Sequence, residues 1–138
     1  MVEKRKFFLK LPVRFRDLDA MGHVNNATYF TYMEEARKEF FGAVFNSSSP
    51  DDFPFVLASI SCTFIRPVQL RESMLAASVL VSRLGGRSFT FNYEIYRPDD
   101  SAWLFATGES VQVFYDYKQG RSMAMPDQYA VKLKQYLW

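Results

Sequence analysis

The chain is organised around residues 17–26, which read Asp-Leu-Asp-Ala-Met-Gly-His-Val-Asn-Asn. Two carboxylates, the only histidine of the chain, a glycine and two asparagines fall within this stretch. An amphipathic segment follows from Ala27 to about Phe45. Asn25 or Asn26 suits the N-cap of a helix there, because a short amide side chain accepts hydrogen bonds from the free N–H groups of the first turn. The stretch therefore predicts a polar loop that leads directly into a long helix.

The start of this helix has the properties of a reactive site. With Asn25 as the cap, Val24 and Tyr29 take the two positions of a hydrophobic staple. The first turn then presents unpaired N–H groups at the positive end of the helix dipole. Such a helix start holds an anion, or polarises a carbonyl oxygen as negative charge develops on it. Asp17 and Asp19 are close enough in sequence to supply a base or a nucleophile, so the stretch predicts attack on a carbonyl.

Length and composition restrict the class of protein. We expect 138 residues to form one domain, residues 1–138, with a core of its own. Apolar residues make up 49 % and aromatic residues 17 %, which predicts an apolar pocket, a large subunit interface or both. A net charge of +2 is too small to favour nucleic acid as a partner.

Targeting signals are also absent from the sequence pattern. The apolar run after the basic residues 4–6 is too short for the core of a signal peptide, and no run approaches the length of a membrane span. One cysteine excludes an internal disulfide framework and suits a reducing compartment. We therefore expect a soluble, cytoplasmic protein with no membrane span.

Alternation of apolar and polar residues with a period of two predicts the strands. They are expected at residues 7–16, 56–64, 75–82, 88–95 and 103–115. Pro12 favours an edge position for the first strand, and the last strand loses its phase near Gly108, where a bulge or a bend is expected. A loop at 46–52 ends the long helix, and residues 126–137 predict a closing helix. Because the turns are too short for parallel crossovers, the sheet is expected to be antiparallel, in an α+β fold that curls around the central helix.

The sequence pattern does not decide the role of Arg37 or of five other arginines. Arg37 falls inside the apolar arc of the long helix, either as a snorkelling stem or as a buried guanidinium paired with a carboxylate. The others read individually as surface charge, although any of them could contact a phosphate. These are Arg66, Arg71, Arg83, Arg87 and Arg121.

Residues 15–26, which add Phe-Arg to the front of the quoted stretch, are followed by Tyr29-Phe30 and by Glu34-Glu35-Ala36-Arg37. This combination resembles the hotdog-fold thioesterases of the 4-hydroxybenzoyl-CoA thioesterase type. The resemblance covers nearly the whole chain in element order, but its specific part is residues 15–37. It implies a hotdog fold, in which an antiparallel β-sheet wraps around one long central α-helix. It also implies an acyl-CoA thioesterase that hydrolyses a fatty or aromatic acyl-CoA to the free acid and CoA.

The resemblance implies roles for single residues. Asp19 is the active carboxylate, as nucleophile or general base. Backbone N–H groups at the helix start, near Asn26, hold the thioester oxygen, and His23 and Asn25 orient water or substrate. Asp17 is expected to serve as a structural hydrogen-bonding residue. The candidates for substrate binding are Tyr29, Ser59, Ser61, Arg87 and Ser88.

In the family, coenzyme A lies along a turn that corresponds here to residues 83–88. The aryl-CoA member carries three consecutive basic residues in this turn, whereas this chain has Gly85 and Gly86 at the first two and keeps only Arg87. The difference raises the chance that the substrate is an acyl carrier protein. The family also assembles as a dimer or higher oligomer with active sites between subunits, so a homodimer or homotetramer is expected.

The sequence lacks the motifs that other classes of enzyme require. The sequence has no G-x-S-x-G elbow of a serine hydrolase and no Walker or dinucleotide glycine motif. One histidine and one cysteine do not make a usual zinc site, so neither a metal nor an organic cofactor is expected, CoA being part of the substrate. A hotdog hydratase would use a different local Asp/His arrangement. The main alternative from another class is a non-catalytic acyl-CoA-binding protein.

Overall fold

One long helix lies against a single antiparallel sheet in the computed structural model, which describes residues 4–47 and 53–138. The strands are β1 (Phe7–Pro12), β2 (Phe55–Phe64), β3 (Met74–Leu84), β4 (Ser88–Arg97), β5 (Asp100–Asp116) and β6 (Arg121–Ser122). The helices are α1 (Asn26–Val44) and α2 (Asp127–Lys134). The loop predicted at 46–52 lies mostly outside the described residues.

The sheet has the strand order β1-β3-β4-β5-β2, with β6 added alongside β5. All of these pairs are antiparallel. β1 lies at one edge, as Pro12 predicted, and β2 lies at the other. The first strand ends at Pro12, four residues before the predicted end. Val13 continues its register by donating its N–H to the carbonyl of Ser73, and a short 3₁₀ turn follows at Phe15–Asp17. The predicted α+β hotdog fold is confirmed.

The irregularity expected near Gly108 lies three residues away, at Phe105, rather than at the glycine itself. Gly108 stays in register with both neighbouring strands. Of the two register shifts between β4 and β5, the one at Ile95/Tyr96 leaves Phe105 without a partner in β4, and the consecutive residues Phe105 and Ala106 are both buried. A glycine is needed at position 108 for another reason. A Cβ there would overlap Cε of Met33 on α1 and would lie 3.0 Å from the carbonyl oxygen of Ser61.

Aromatic side chains fill the core under the second half of α1. Phe40 meets Phe91 with ring centroids 4.7 Å apart, and Phe41 meets Phe55 at 4.6 Å, both edge to face. Such pairs contribute about 0.5–1.5 kcal/mol each beyond the burial of their area. A separate buried cluster underlies the first half of the helix and contains Val24, the tyrosines of the first turns, and residues of β1, β3 and β5. The end of the core beneath the helix start is therefore less aromatic and contains hydroxyl groups.

Neither interpretation of Arg37 is correct. The residue is only 9 % exposed, so its guanidinium does not reach bulk water. Its Nη1 donates to the hydroxyl of Tyr93 at 3.3 Å, and no carboxylate pairs with it in the described part of the chain. Tyr93 shares a hydrogen bond with Ser110, which donates to Gln112. Burial raises the pKa of Tyr93, an effect that the charge of Arg37 partly offsets.

The close approach of α1 to β5 can be tested by Gly108→Ala. We expect the free energy of unfolding to fall by about 1–3 kcal/mol, because buried Met33 has to leave its position to admit a methyl group. Gly86→Ala is the matched control, since a Cβ at Gly86 would meet nothing within 4 Å. Urea denaturation followed by circular dichroism measures both variants. Equal midpoints for the two variants would contradict the packing described here.

Candidate active site

Asp19 closes the loop that precedes α1. Its N–H donates to the carbonyl of His23 at 2.7 Å, and its own carbonyl accepts from the N–H of Gly22 at 3.1 Å. Its Oδ1 accepts from the N–H of Met21 at 2.9 Å and from that of His23 at 3.2 Å. Gly22 takes φ +79°, a conformation that favours glycine. Oδ1 of Asp19 therefore holds the turn, while Oδ2 has no hydrogen-bond partner in the described part of the chain.

Asp17 anchors the loop to the helix. Its Oδ2 accepts from the hydroxyl of Tyr32 at 2.8 Å and from the N–H of Arg14 at 2.9 Å. Its carbonyl accepts from the N–H of Asn25 at 2.8 Å. Burial, with the hydrogen bond to Asp17 as a second cause, raises the pKa of Tyr32 and keeps its hydroxyl protonated. These contacts fit the structural role expected for Asp17.

Asn25 is the N-cap of α1, and its Oδ1 accepts from the N–H of Ala27 at 2.9 Å. Val24 and Tyr29, the predicted staple, are both buried in the same cluster. Asn26 is the first residue of the helix. Within the described chain its N–H meets no acceptor, so this amide stays available to a ligand.

A cleft of about 220 Å³ opens beside these groups. It is lined by Asp19, His23, Val24, Asn26, Tyr29, Phe64, Ile65, Arg66 and Pro67. Tyr29 and Phe64 form an apolar wall, with ring centroids 5.0 Å apart. The structure thus brings together four of the predicted site residues, Asp19, His23, Asn26 and Tyr29. Asn25 stands next to them, but its side chain is used in the cap.

The chain after β2 holds the loop in place. The N–H of Val24 donates to the carbonyl of Val68 at 2.8 Å, and His23 forms a bridge with Gln69. The imidazole of His23 is half-buried and has no hydrogen bond within the residues described. Its ring is therefore free to contact a ligand or a water molecule in the cleft.

The serine candidates on β2 lie outside the cleft. Ser59 is exposed, just after the irregularity in pairing with β5. Ser61 is also exposed and lines a different cavity, of about 380 Å³, on the outer face of the sheet. In this single chain neither serine shares the cleft with Asp19.

Arg87 and Ser88 lie at the far end of the sheet. The strand β4 runs from Ser88 to Arg97, which pairs with Glu72 near the cleft. Ten residues of strand span about 30 Å, so the turn at 83–88 does not reach the cleft of its own chain. Arg87 instead borders an open hollow of about 580 Å³, where its Nη1 lies 3.4 Å from Oγ of Ser122.

Three further observations concern metal ligation, the reactivity of the cysteine and membrane insertion. In the described ranges, 4–47 and 53–138, no group of His, Cys, Asp and Glu residues could hold a metal ion. Burial raises the pKa of the Cys62 thiol to about 11, so this cysteine is not a ready nucleophile near neutral pH. None of the helices described is long and apolar enough to cross a bilayer.

The profile of the thioesterase-like superfamily matches residues 13–133. The chain belongs to the thioesterase-like superfamily. The long-chain acyl-CoA thioesterase FadM of Escherichia coli is 28 % identical over 131 residues, which are 91 % of this thioesterase and 96 % of FadM. The predicted resemblance to hotdog-fold thioesterases is confirmed, and the chain is a thioester hydrolase.

Solved structures support the same assignment. A predicted thioesterase from Bacillus stearothermophilus superposes on this thioesterase with a TM-score of 0.87 and 25 % identity, over 97 % of this chain and 98 % of that one. A thioesterase from Thermus thermophilus, solved with coenzyme A and Zn, has a TM-score of 0.78 and 30 % identity, over 92 % and 90 % of the two chains.

Sequence reasoning did not predict the second wall of the cleft, and of its residues it named only Arg66, as one of five arginines that could contact a phosphate. Phe64, Ile65, Arg66 and Pro67 come from the end of β2 and the segment after it, far from the motif in sequence. Only the packing of β2 alongside the helix start brings them there, and no local pattern in these residues marks them as part of a site.

Proposed function

We propose that this thioesterase hydrolyses acyl-CoA at the cleft beside the start of α1. The observation that carries the proposal is that Asp19 and Asn26 line one cleft, while within the described residues Oδ2 of Asp19 and the N–H of Asn26 have no hydrogen-bond partner. The names of two relatives support CoA as the thiol carrier, since FadM acts on long-chain acyl-CoA and the Thermus protein was solved with coenzyme A.

The Asn26 amide would donate to the thioester oxygen as negative charge develops on it, aided by the positive end of the helix dipole. Asp19 then acts in one of two ways. As a nucleophile, Oδ2 bonds to the acyl carbon, the C–S bond breaks with release of the CoA thiol, and water hydrolyses the resulting anhydride. As a general base, Oδ2 takes a proton from the water that attacks the same carbon, and the C–S bond then breaks as the departing CoA sulfur takes up that proton. Both routes end in a free acid and CoA.

The remaining groups position the reactants. The amides of Met21 and His23 hold Oδ1 of Asp19, which fixes the direction of Oδ2. The cap made by Asn25 fixes the first turn and thereby the Asn26 N–H. The imidazole of His23 orients water or the thioester, and the wall formed with Tyr29 receives the first carbons of the acyl group.

An acyl carrier protein is the second candidate for the thiol carrier. One observation favours it, namely that the turn at 83–88 has Gly85 and Gly86 where the aryl-CoA relatives carry basic residues. Within the described residues, Arg87 and Arg121 border the hollow at this turn. Comparing kcat/KM for one acyl group on CoA and on a carrier protein decides between the two.

The role of Asp19 is tested by Asp19→Asn. The amide oxygen of Asn can still accept from Met21 and His23, so the turn is kept while the charge is lost. We expect kcat to fall by roughly 10²-fold or more, in line with the loss of a positioned acid–base group. Release of thiol from acyl-CoA is followed with a thiol-reactive dye. Asp127→Asn, at an exposed position in α2, is the control and should leave kcat unchanged. Activity of Asp19→Asn within a few-fold of wild type would remove Asp19 from the mechanism.

The Asn26 amide is tested by comparing Asn26→Ala with Asn26→Pro. Alanine keeps the N–H, and because Asn25 is the cap, the helix start should keep its stability. Proline suits the first position of a helix but lacks the donor. We expect Asn26→Pro to lose about 3–4 kcal/mol of transition-state stabilisation relative to Asn26→Ala, measured as kcat on acyl-CoA. Melting curves identify the variants that remain folded. If folded Asn26→Pro turns over as fast as Asn26→Ala, another group polarises the carbonyl.

The smallest active unit is expected to be a dimer that pairs through β2, with a tetramer as a further step. Among the strands of the described residues, β2 pairs with β5 alone, and its Leu57 is 45 % exposed. Phe64 belongs both to this strand and to the cleft, so a second copy would lie close to the site. In light scattering, Leu57→Lys should shift the protein toward monomer, whereas Val131→Lys, an exposed apolar position on α2, should not. A fully active monomer at assay concentration would contradict the proposal.

A further inference from the structure

Arg66 lines the cleft, and its guanidinium is held beside it by Trp103 and Leu104, which lie outside the cleft lining. The residue lines the cleft, and its Cζ lies 4.4 Å from the ring centroid of Trp103, which does not line it. Its Nη1 donates to the carbonyl of Leu104 at 2.7 Å. The backbone N–H groups of Ile65 and Arg66 both donate to the carbonyl of Phe105, at 2.9 and 3.1 Å. The guanidinium is therefore held by its backbone, a carbonyl and an aromatic face.

A second arginine, Arg97, lies on the same tryptophan but differs from Arg66 in having a carboxylate partner. Arg97 lies on Trp103 as well, with its Cζ 4.5 Å from the ring centroid. Its guanidinium is bidentate to Glu72, at 2.8 and 3.2 Å. Arg66 has no carboxylate partner in the described part of the chain. Of the two stacked cations, Arg66 alone is left without a counter-charge, and it is the one that borders the cleft.

We propose that Arg66 binds the phosphate group of the pantetheine arm that carries the acyl thioester. This inference rests on the proposed function. The planar guanidinium fork matches phosphate oxygens, and the aromatic face fixes its plane before the ligand arrives. The apolar wall of Tyr29 and Phe64 suits the acyl group, which leaves the more exposed side, where Ile65 and Trp103 lie, for the arm.

The site is distinct from the turn at 83–88. Arg87 and Arg66 lie at opposite ends of the sheet, and the two cavities that they line have no lining residue in common. The phosphate of the pantetheine arm is shared by acyl-CoA and by an acyl carrier protein, so the site does not depend on which carrier delivers the thioester. Trp103 acts through Arg66 and is a positioning residue.

The test uses one acyl group on three thiol carriers: CoA, 4′-phosphopantetheine and pantetheine, which lacks the phosphate. For Arg66→Gln we expect KM to rise about tenfold on the two phosphorylated carriers, as for the loss of a charge-assisted hydrogen bond, with kcat nearly unchanged. On acyl-pantetheine, KM should stay within about twofold of wild type, because the lost interaction is one that this carrier never makes. Arg71→Gln is the matched control, an exposed arginine at the same end of the molecule, and should change none of the three. Trp103→Leu should raise KM in the same phosphate-dependent pattern but less steeply.

The outcomes separate this site from the proposed function. An equal rise in KM on all three carriers, no rise on any, or a rise on CoA alone would each overturn the phosphate site at Arg66. Failure of the wild type to hydrolyse any of the three thioesters would instead refute the proposed function. Calorimetry with free 4′-phosphopantetheine would then test Arg66 directly, since the wild type should bind it more tightly than Arg66→Gln. Comparing the two full carriers, acyl-CoA and acyl carrier protein, shows which of them presents this phosphate to the protein.

Discussion

The cleft depends on how residues 17–25 satisfy the backbone donors around the start of α1. A helix leaves its first N–H groups without partners. Here the side chain of Asn25 accepts from one of them, while the neighbouring N–H of Asn26 meets no acceptor among the residues described. The carboxylate of Asp17 accepts a hydrogen bond from Tyr32 of α1. The carboxylate of Asp19 accepts two hydrogen bonds from N–H groups within the loop. If these bonds were absent, the loop would not hold a carboxylate and an unpaired amide on the same side of the helix start.

The core beneath the second half of α1 combines aromatic packing with one buried, hydrogen-bonded arginine. Its second half packs among phenylalanines, where edge-to-face contacts fill the space between helix and sheet. Arg37 nevertheless lies in this region, and its charge is met by a hydroxyl rather than a carboxylate. Burying a guanidinium is costly unless it is hydrogen-bonded, so the chain from Tyr93 through Ser110 to Gln112 belongs to the stability of the helix–sheet contact.

Local patterns were enough to predict most of the fold. Alternation identified the strands, the apolar arc identified α1, and the sequence before it identified the cap, because each depends on neighbours within a few residues. The position of the irregularity in β5 was not predictable from the glycine. Gly108 is required by the approach of Met33, while the extra residue at Phe105 follows from pairing with β4.

The site was predictable only on the side formed by the motif. Asp19, His23 and Asn26 are close in sequence and remain close in space, whereas Arg66 reaches them only because the end of β2 and the segment after it pack alongside the helix start. The turn at 83–88 shows the converse case, in which residues predicted to belong to the site lie far from the cleft of their own chain. A motif says nothing about strand length, and the length of β4 separates Arg87 from the cleft of the same chain.

The two edges of the sheet differ in how readily they could accept another strand. β1 is short and carries Pro12 and Lys10, and a proline and a lysine on an edge both discourage the addition of a strand. β2 is longer and contains neither residue type. Pairing of two copies through β2 would cover the β2 edge of each chain and leave the two β1 edges, which disfavour a further strand, at the outside of the joint sheet. Such a sheet would stop growing at two chains, so the edge that promotes association would also protect the protein from forming filaments.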